Sequence, residues 1–405
     1  MLNFYTELLF FALVIPVCAL YRLAAPRLTP AGRAWALAGL SLPFLALLRG
    51  GAGFLPWLAL CVAGLWLGGR WVRASGRRGG WLLAFLVASM VGLLALAKHP
   101  QYVSWLPVAG PVLAGASGWG WLGFSYLSFR AIDYLFQARR GALAAGLAET
   151  AALGLFFAPY VSGPINRIAP LVTDLAASDP PLTFARLRDA LLRTSLGIVK
   201  MLFLARWAYY ASVAAPEFLD TRLPGLPGLA LGTWAYYLYI YLDFSGYCDV
   251  AIALGGLFGV RLPENFDRPF LAANLQEFWN RWHMSLSQWF RDYVFFPAMA
   301  TLRRRCPRLP GQLALSASLF ATFLLMGAWH GDGPNWACYG LYHGAGMALW
   351  SALRWWQNRL APEFFAALRE NRLWRMAATA FTFNYVSFGL LLMLDPATFW
   401  RVLGG

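Results

Sequence analysis

The stretch LLMGAWHGDGPNWACYGLYHGAGMA, residues 324–348, sets His330 and His343 inside apolar sequence, and its reading decides the fold. The chain holds only two further histidines, His99 and His283. A polar group left unpaired in hydrocarbon costs several kcal/mol, so an imidazole in such sequence is expected to face a cavity, a partner or a substrate. His330 is therefore the first candidate catalytic residue. Pro334 cannot continue a helix running in from Trp329, so the segment reads as two helices meeting at the turn DGPN. His343 falls about 12 Å along the second helix, at about 1.5 Å per residue, and could line the same cavity at another depth.

Working outward, the composition matches a membrane protein. Of 405 residues, 60% are hydrophobic, 17% aromatic and 13% charged, with a mean hydropathy of +0.53, which leaves too little polar surface to cover a soluble globule. The net charge of +15 resides in short loops between apolar runs, as the positive-inside rule expects, and excludes nucleic acid as the natural partner. Cys18, Cys61, Cys248, Cys306 and Cys338 are scattered, with neither a CxxC pair nor a histidine at metal-ligand spacing, so they read as small buried hydrophobes and no metal is expected.

Apolar runs at 2–21, 34–48, 53–68, 81–97, 119–137, 142–161, 190–214, 228–242, 311–329, 335–353 and 376–394 make about eleven expected spans, each near the ~20 residues a bilayer requires. The first reads as a retained span with the N-terminus outside, since Arg22, Arg27 and Arg33 follow it and Arg70, Arg73, Arg77 and Arg78 follow the next pair. Residues 101–118 and 244–260 read as re-entrant, which lipid tolerates only where protein encloses the backbone. Residues 142–163 are a further re-entrant alternative, because Arg139–Arg140 and the 186–193 segment both read as cytoplasmic. Basic clusters at 303–308 and 354–375 put the DGPN tip away from the cytoplasm. With no internal repeat and no long polar linker, residues 1–405 read as one integral membrane domain.

The second unusual segment is ENFDRPFLAANLQEFWNRWHMSLSQWFRDYVFFP, residues 264–297. Placing 277–293 on one helix brings Glu277, Arg281, Gln288 and Asp292 within about 60° of one another and Phe278, Trp282, Leu286 and Trp289 into a separate sector. This is an amphipathic helix, read either as interfacial or as folded inward along a polar tunnel. His283 sits beside Arg281 and Ser285 at the edge of its polar sector.

The run YLDFSGYCDVAIALGGLFGVRLPENFDRPF (241–270), followed by EFWNRWHMSLSQWFRDYVFFP and GAWHG, closely resembles the bacterial branch of the membrane-bound O-acyltransferase (MBOAT) family. SYLSFRAIDY (125–134) and FAPYVSGPINR (157–167) resemble two further blocks in the family's order, so the likeness covers about 119–350. It is strongest to the DltB-like branch, which serves D-alanylation of the cell wall. The resemblance implies an all-α polytopic fold, with spans and re-entrant or interfacial helices around a central tunnel, in a bacterial cytoplasmic membrane. It also implies an acyltransferase that moves an acyl group from a thioester to a hydroxyl. In the DltB-like branch the donor is the phosphopantetheine arm of an acyl carrier protein on the cytoplasmic face, no cofactor is permanently bound, and an extracytoplasmic acyl-transfer partner follows. By similarity, His330 corresponds to the family's catalytic histidine and His283 to its second one.

Chemistry agrees, since a hydroxyl attacking a thioester must lose its proton and a general base supplies roughly 10² to 10⁴ in rate. A covalent acyl-Cys338 route is weaker, that thiol lying in apolar sequence. Trp329, Trp336, Asn335, Arg281, Ser285, Ser162, Arg167 and Asn265 are the candidate substrate-binding residues, Trp329 and Trp336 as walls around His330. Ser162–Arg167 otherwise reads as a structural turn, the tryptophans as packing or interface anchors, and Asp243 and Asp249 as intramembrane carboxylates paired with Arg261 or Arg268. His99 reads as solvent-exposed. Basic surface from Arg186, Arg188, Arg303 and Arg304 suits an acidic carrier protein, and lipid surrounds the whole.

Two other functions fit the same residues. A polysaccharide O-acetylase of the alginate type shares the core, although such enzymes commonly continue their WHG with Ser-Trp-Asn, where this chain has Asp332, Gly333, Pro334, Asn335 and Trp336. A transporter or flippase would also show broken spans and intramembrane polar groups, but lacks the expected repeats.

Overall fold

The computed structural model describes residues 8–48, 53–98, 123–141, 145–177, 182–216, 218, 225–331 and 333–404. Readings placed on residues 2–7, His99, 101–122, 142–144 and Asp332 lie outside the described residues. Among the described residues the fold is all-helical, with no strand and one isolated antiparallel bridge, Phe266 with Trp282. Seven helical segments among the described residues are long and apolar enough to cross a membrane, so the protein is multi-pass. The chain divides into two compact units, Met1–Val199 with Gly246–Pro263, and Lys200–Ser245 with Glu264–Gly405.

In the first unit, α1 (Leu8–Ala24), α2 (Pro30–Leu48), α3 (Leu55–Ala74) and α4 (Gly79–Lys98) form where apolar spans were expected. They are followed by α5 (Phe124–Arg140), α6 (Leu147–Leu155), α7 (Ile168–Ala176) and α8 (Phe184–Val199). Phe44 stacks on Phe157 at 4.2 Å, and Phe258 meets Phe157 edge-on at 5.6 Å, a core whose ring pairs each add about 0.5–1.5 kcal/mol beyond burial.

The expected span at 142–161 is corrected to the nine-residue α6, after which buried chain runs without helix. Two earlier side chains bond its freed backbone. Arg130 of α5, fully buried, donates to the carbonyls of Leu153 (3.2 Å) and Pro159, while the Ser41 hydroxyl accepts from the Phe157 N–H (3.3 Å). Polar side chains thus replace the helical ladder, the condition on which non-helical backbone survives at membrane depth.

The second unit opens with a π-helical turn, Lys200–Leu204, that continues α8 into α9 (Ala205–Tyr210), so the run expected at 190–214 starts earlier, at Phe184. The re-entrant reading of 244–260 is also corrected. Residues 228–242 and most of that stretch form one 33-residue helix, α10 (Gly225–Leu257). Gly255 within it marks a packing contact rather than a break. A Cβ on Gly255 would lie 2.8 Å from the Val260 carbonyl, because Gly259, at φ +73°, turns the chain back and lets the Val260 N–H bond to the Gly255 carbonyl at 2.8 Å.

The amphipathic helix expected over 277–293 is broken in two, α11 (Leu275–Trp279) and α12 (Met284–Phe290), followed by a π-helical turn, Arg291–Phe295, and α13 (Phe296–Arg305). The break lies at His283, whose φ of +43° is left-handed and stops helix propagation.

The hairpin is as expected, α14 (Gly311–His330) ending at the histidine and α15 (Pro334–Leu360) starting at the proline. A Cβ on Gly340 would stand 2.7 Å from the Phe323 carbonyl, and one on Gly327 would strike the Trp336 carbonyl, so the two backbones touch directly. Such small-residue contacts replace hydrophobic driving force between helices in lipid. The chain closes with α16 (Pro362–Glu370), α17 (Arg372–Leu390) and α18 (Pro396–Gly404).

Gly340→Val is expected to lower the thermal midpoint of the detergent-solubilised protein, by about 1–3 kcal/mol of overpacking. Gly39→Ala, where a Cβ meets nothing within 4 Å, should leave it unchanged or raise it slightly.

Candidate active site

His330 ends α14 half-buried in a ring of aromatic side chains. Trp336 stacks parallel to its imidazole at 5.5 Å and 15°, Trp329 lies at 4.5 Å, and Tyr339 meets it edge-on at 5.8 Å. The stacking explains the glycine of the WHG motif, since a Cβ on Gly331 would overlap the Trp336 indole. Asn335 holds the turn from the other side, its amide donating to the carbonyls of Leu392 (3.2 Å) and Leu394 (3.1 Å).

The fold brings the other two described histidines close enough to His330 that a proton on His330 disfavours one on either. His343 is fully buried between Tyr339 (4.6 Å) and Trp279 (5.2 Å), and neither of its ring nitrogens has a hydrogen-bond partner. Tyr339 is thus the ring shared by His330 and His343, a role no spacing rule singled out. His283 is buried edge-on to Phe244 at 4.7 Å, with its Nε2 unpartnered. Burial, reinforced by the charge of His330, pushes the His283 imidazole down to about 3, so it is uncharged at neutral pH.

Asn265 fixes the strained backbone of His283. Buried in the loop after α10, it accepts the Met284 N–H on its carbonyl at 3.0 Å and the Ser285 N–H on its Oδ1 at 3.1 Å. Asp267 N–H donates to the Arg281 carbonyl at 3.0 Å, so residues 265–267 pair with 281–285 around the Phe266–Trp282 bridge. Arg281 pairs with Glu277 at 2.7 Å, and Ser285 is buried at the start of α12.

In the first unit Ser162 hydrogen-bonds the Tyr126 hydroxyl, and Arg167 precedes α7 as its N-cap. Asp133 accepts the Ile168 N–H at 2.8 Å, so Arg130 and Asp133 of the SYLSFRAIDY block hold both ends of the SGPINR block. Asn166, missed in the sequence, is buried there with neither side-chain atom hydrogen-bonded. The expected carboxylate pairings are corrected. Asp249 pairs with Arg193 at 3.0 Å, Arg261 pairs with Asp174, and the buried Asp243 Oδ1 has no hydrogen-bond partner. Arg188 pairs with its neighbour Asp189 at 2.7 Å, while Arg303 and Arg304 are exposed on the last turn of α13. Cys338 is exposed rather than buried. Among the described residues no His, Cys, Asp or Glu group could hold a metal.

Residues 146–394 of this multi-pass helical protein, which include the hairpin and His330, fit the model of the membrane-bound O-acyltransferase family. The chain belongs to that family and is an acyltransferase. Among its relatives are the teichoic acid D-alanyltransferases of Bacillus subtilis (strain 168), 33% identical over 67% of this chain and 68% of the relative, and of Streptococcus thermophilus, 32% identical over 67% of each. A probable alginate O-acetylase, AlgI of Pseudomonas fluorescens, is 32% identical over 57% of this chain and 45% of its own length.

Asn265→Ala leaves the Ser285 N–H unpaired and is expected to cost about 1–3 kcal/mol in thermal unfolding, with loss of acyl transfer at temperatures where the protein remains folded. The depressed His283 value also has a signed consequence. The unfolded chain takes up its proton near pH 6.5 and the folded one only near 3, so this contribution to stability is complete above about pH 6.5 and is lost as pH falls through that window. Unfolding midpoints followed from pH 7.5 to 4 should therefore fall less steeply in His283→Gln than in the parent.

Proposed function

We propose that this acyltransferase moves a D-alanyl group from the phosphopantetheine thioester of a cytoplasmic acyl carrier protein to a hydroxyl on the outer side of a bacterial cytoplasmic membrane. The observation that carries the chemistry is His330, half-buried between Trp336 and Tyr339 at the tip of the α14–α15 hairpin. The D-alanyl group is favoured over acetyl because the two teichoic acid D-alanyltransferases match over two thirds of their length, and the alginate O-acetylase over less than half of its own.

In this reading His330 takes the proton of the acceptor hydroxyl as its oxygen attacks the thioester carbonyl. The tetrahedral adduct collapses with cleavage of the C–S bond, the imidazolium returns the proton to the leaving sulfur, and ester and free thiol result. His283, neutral and with an unpartnered Nε2, is the group able to donate to or orient the reacting oxygen. Trp329 and Trp336 wall the reacting centre. Asn335, Asn265 and Arg281 bond the protein's own groups and act as positioning residues. The carrier protein is acidic and docks on cytoplasmic arginines such as Arg303 and Arg304, and a separate extracytoplasmic protein receives the acyl group. A transporter without chemistry would need no histidine at this tip.

With D-alanyl-loaded carrier protein and membranes holding the purified enzyme, His330→Ala is expected to reduce ester formation about 10² to 10⁴-fold with an unchanged unfolding midpoint. Undiminished transfer in that variant sinks the catalytic role. Transfer of acetyl in preference to D-alanyl from matched donors sinks the donor assignment alone.

A further inference from the structure

The second unit carries an open groove of about 750 Å³ that the reaction does not use. Its walls include Trp234, Phe270 and Phe383, and the α17 side runs from Glu370, Arg372 and Arg375 to Asn384. Arg372 and Asn384 are twelve residues apart, about 18 Å at 1.5 Å per residue, so the groove is a long apolar channel with a basic end. That end lies at a definable depth. Arg372 begins a span, and Leu373 and Trp374 beside it are exposed, the pattern of a helix crossing from headgroups into hydrocarbon.

Two further arginines, which do not line the groove, lie on the helices that precede α17 in sequence. Arg354 of α15 and Arg369 of α16, the latter adjacent to Glu370 at the groove, repel one another electrostatically. Each holds a buried Nη1 with no hydrogen-bond partner. Two like charges with unsatisfied donors are costly unless an anion with several oxygens sits between them. Phosphate geometry suits guanidinium pairs, which bond it bidentately.

We propose that this groove binds one anionic phospholipid of the surrounding bilayer, its phosphate held by Arg372 and Arg375 at the start of α17 and one acyl chain laid along Trp234, Phe270 and Phe383. The two lining guanidiniums outweigh the one lining carboxylate, Glu370, so the site selects a net negative headgroup. The apolar walls distinguish a lipid from free phosphate, which would leave the length of the channel unfilled. This site is independent of the acyl transfer.

The test uses the full chain purified in mild detergent, supplied with phosphatidylglycerol or phosphatidylethanolamine and read by native mass spectrometry for lipid retained per protein. Phosphatidylglycerol should be retained at one copy by the parent and by Arg77→Gln/Arg78→Gln, an exposed pair outside the groove, and at least tenfold less by Arg372→Gln/Arg375→Gln. Ala380→Trp, which fills the groove without touching its charge, should lose it as well. Unfolding midpoints identify any variant that has failed to fold, and the arginine pair and the groove-filling change test the site separately. Equal retention of the two lipids, retention unaffected by both variants, or full displacement by millimolar inorganic phosphate would overturn the proposal.

Discussion

Direct backbone contact between α14 and α15 is the constraint on which the site depends. Where Gly327 and Gly340 meet the facing carbonyls, no side chain separates the helices, and the turn between them is left with few conformations. Gly331 then lets the Trp336 indole slide against the chain, and the indole in turn fixes the His330 ring by stacking. The orientation of the imidazole is thus set by packing, since lipid offers helices no hydrophobic reason to associate and close approach must supply the attraction.

The places where helices break follow a second rule. Each buried break carries a polar side chain that takes over the missing backbone bonds: Arg130 and Asp133 around the chain between α6 and α7, and Asn265 at the start of α12. These residues lie inside the sequence blocks that resemble the family. Part of that likeness is therefore explained by backbone satisfaction rather than by contact with substrate, a distinction the motif alone does not draw.

How much of this was legible in the chain varies with the physics involved. The long apolar helices and the hairpin at Pro334 were readable because hydropathy and proline act locally. The division of 264–297 into two short helices was not, because a 3.6-residue period assumes continuity, whereas His283 is turned left-handed by bonds from Asn265, eighteen residues earlier. The re-entrant reading of 244–260 failed in the opposite direction: α10 runs intact to Leu257, and the chain folds back onto it at Gly255. Among charges, Asp249 pairs as expected but with Arg193, and Asp243 leaves its Oδ1 without a hydrogen-bond partner; partners such as Asp174 for Arg261 are remote in sequence and invisible to spacing.

The strain at His283 bears on why an imidazole stands there at all. A left-handed φ costs a non-glycine residue about 1–2 kcal/mol, and glycine would adopt it freely. Glycine would also remove a buried ring that packs edge-on to Phe244 and presents an unpartnered Nε2. A packing role alone would be served as well by an aromatic ring without nitrogen, at the same backbone cost and without desolvating a polar atom. The chain carries both costs together, and Asn265 is committed to maintaining them. Two penalties at one residue, each avoidable by a simpler side chain, support the proposal that His283 takes part in the acyl transfer.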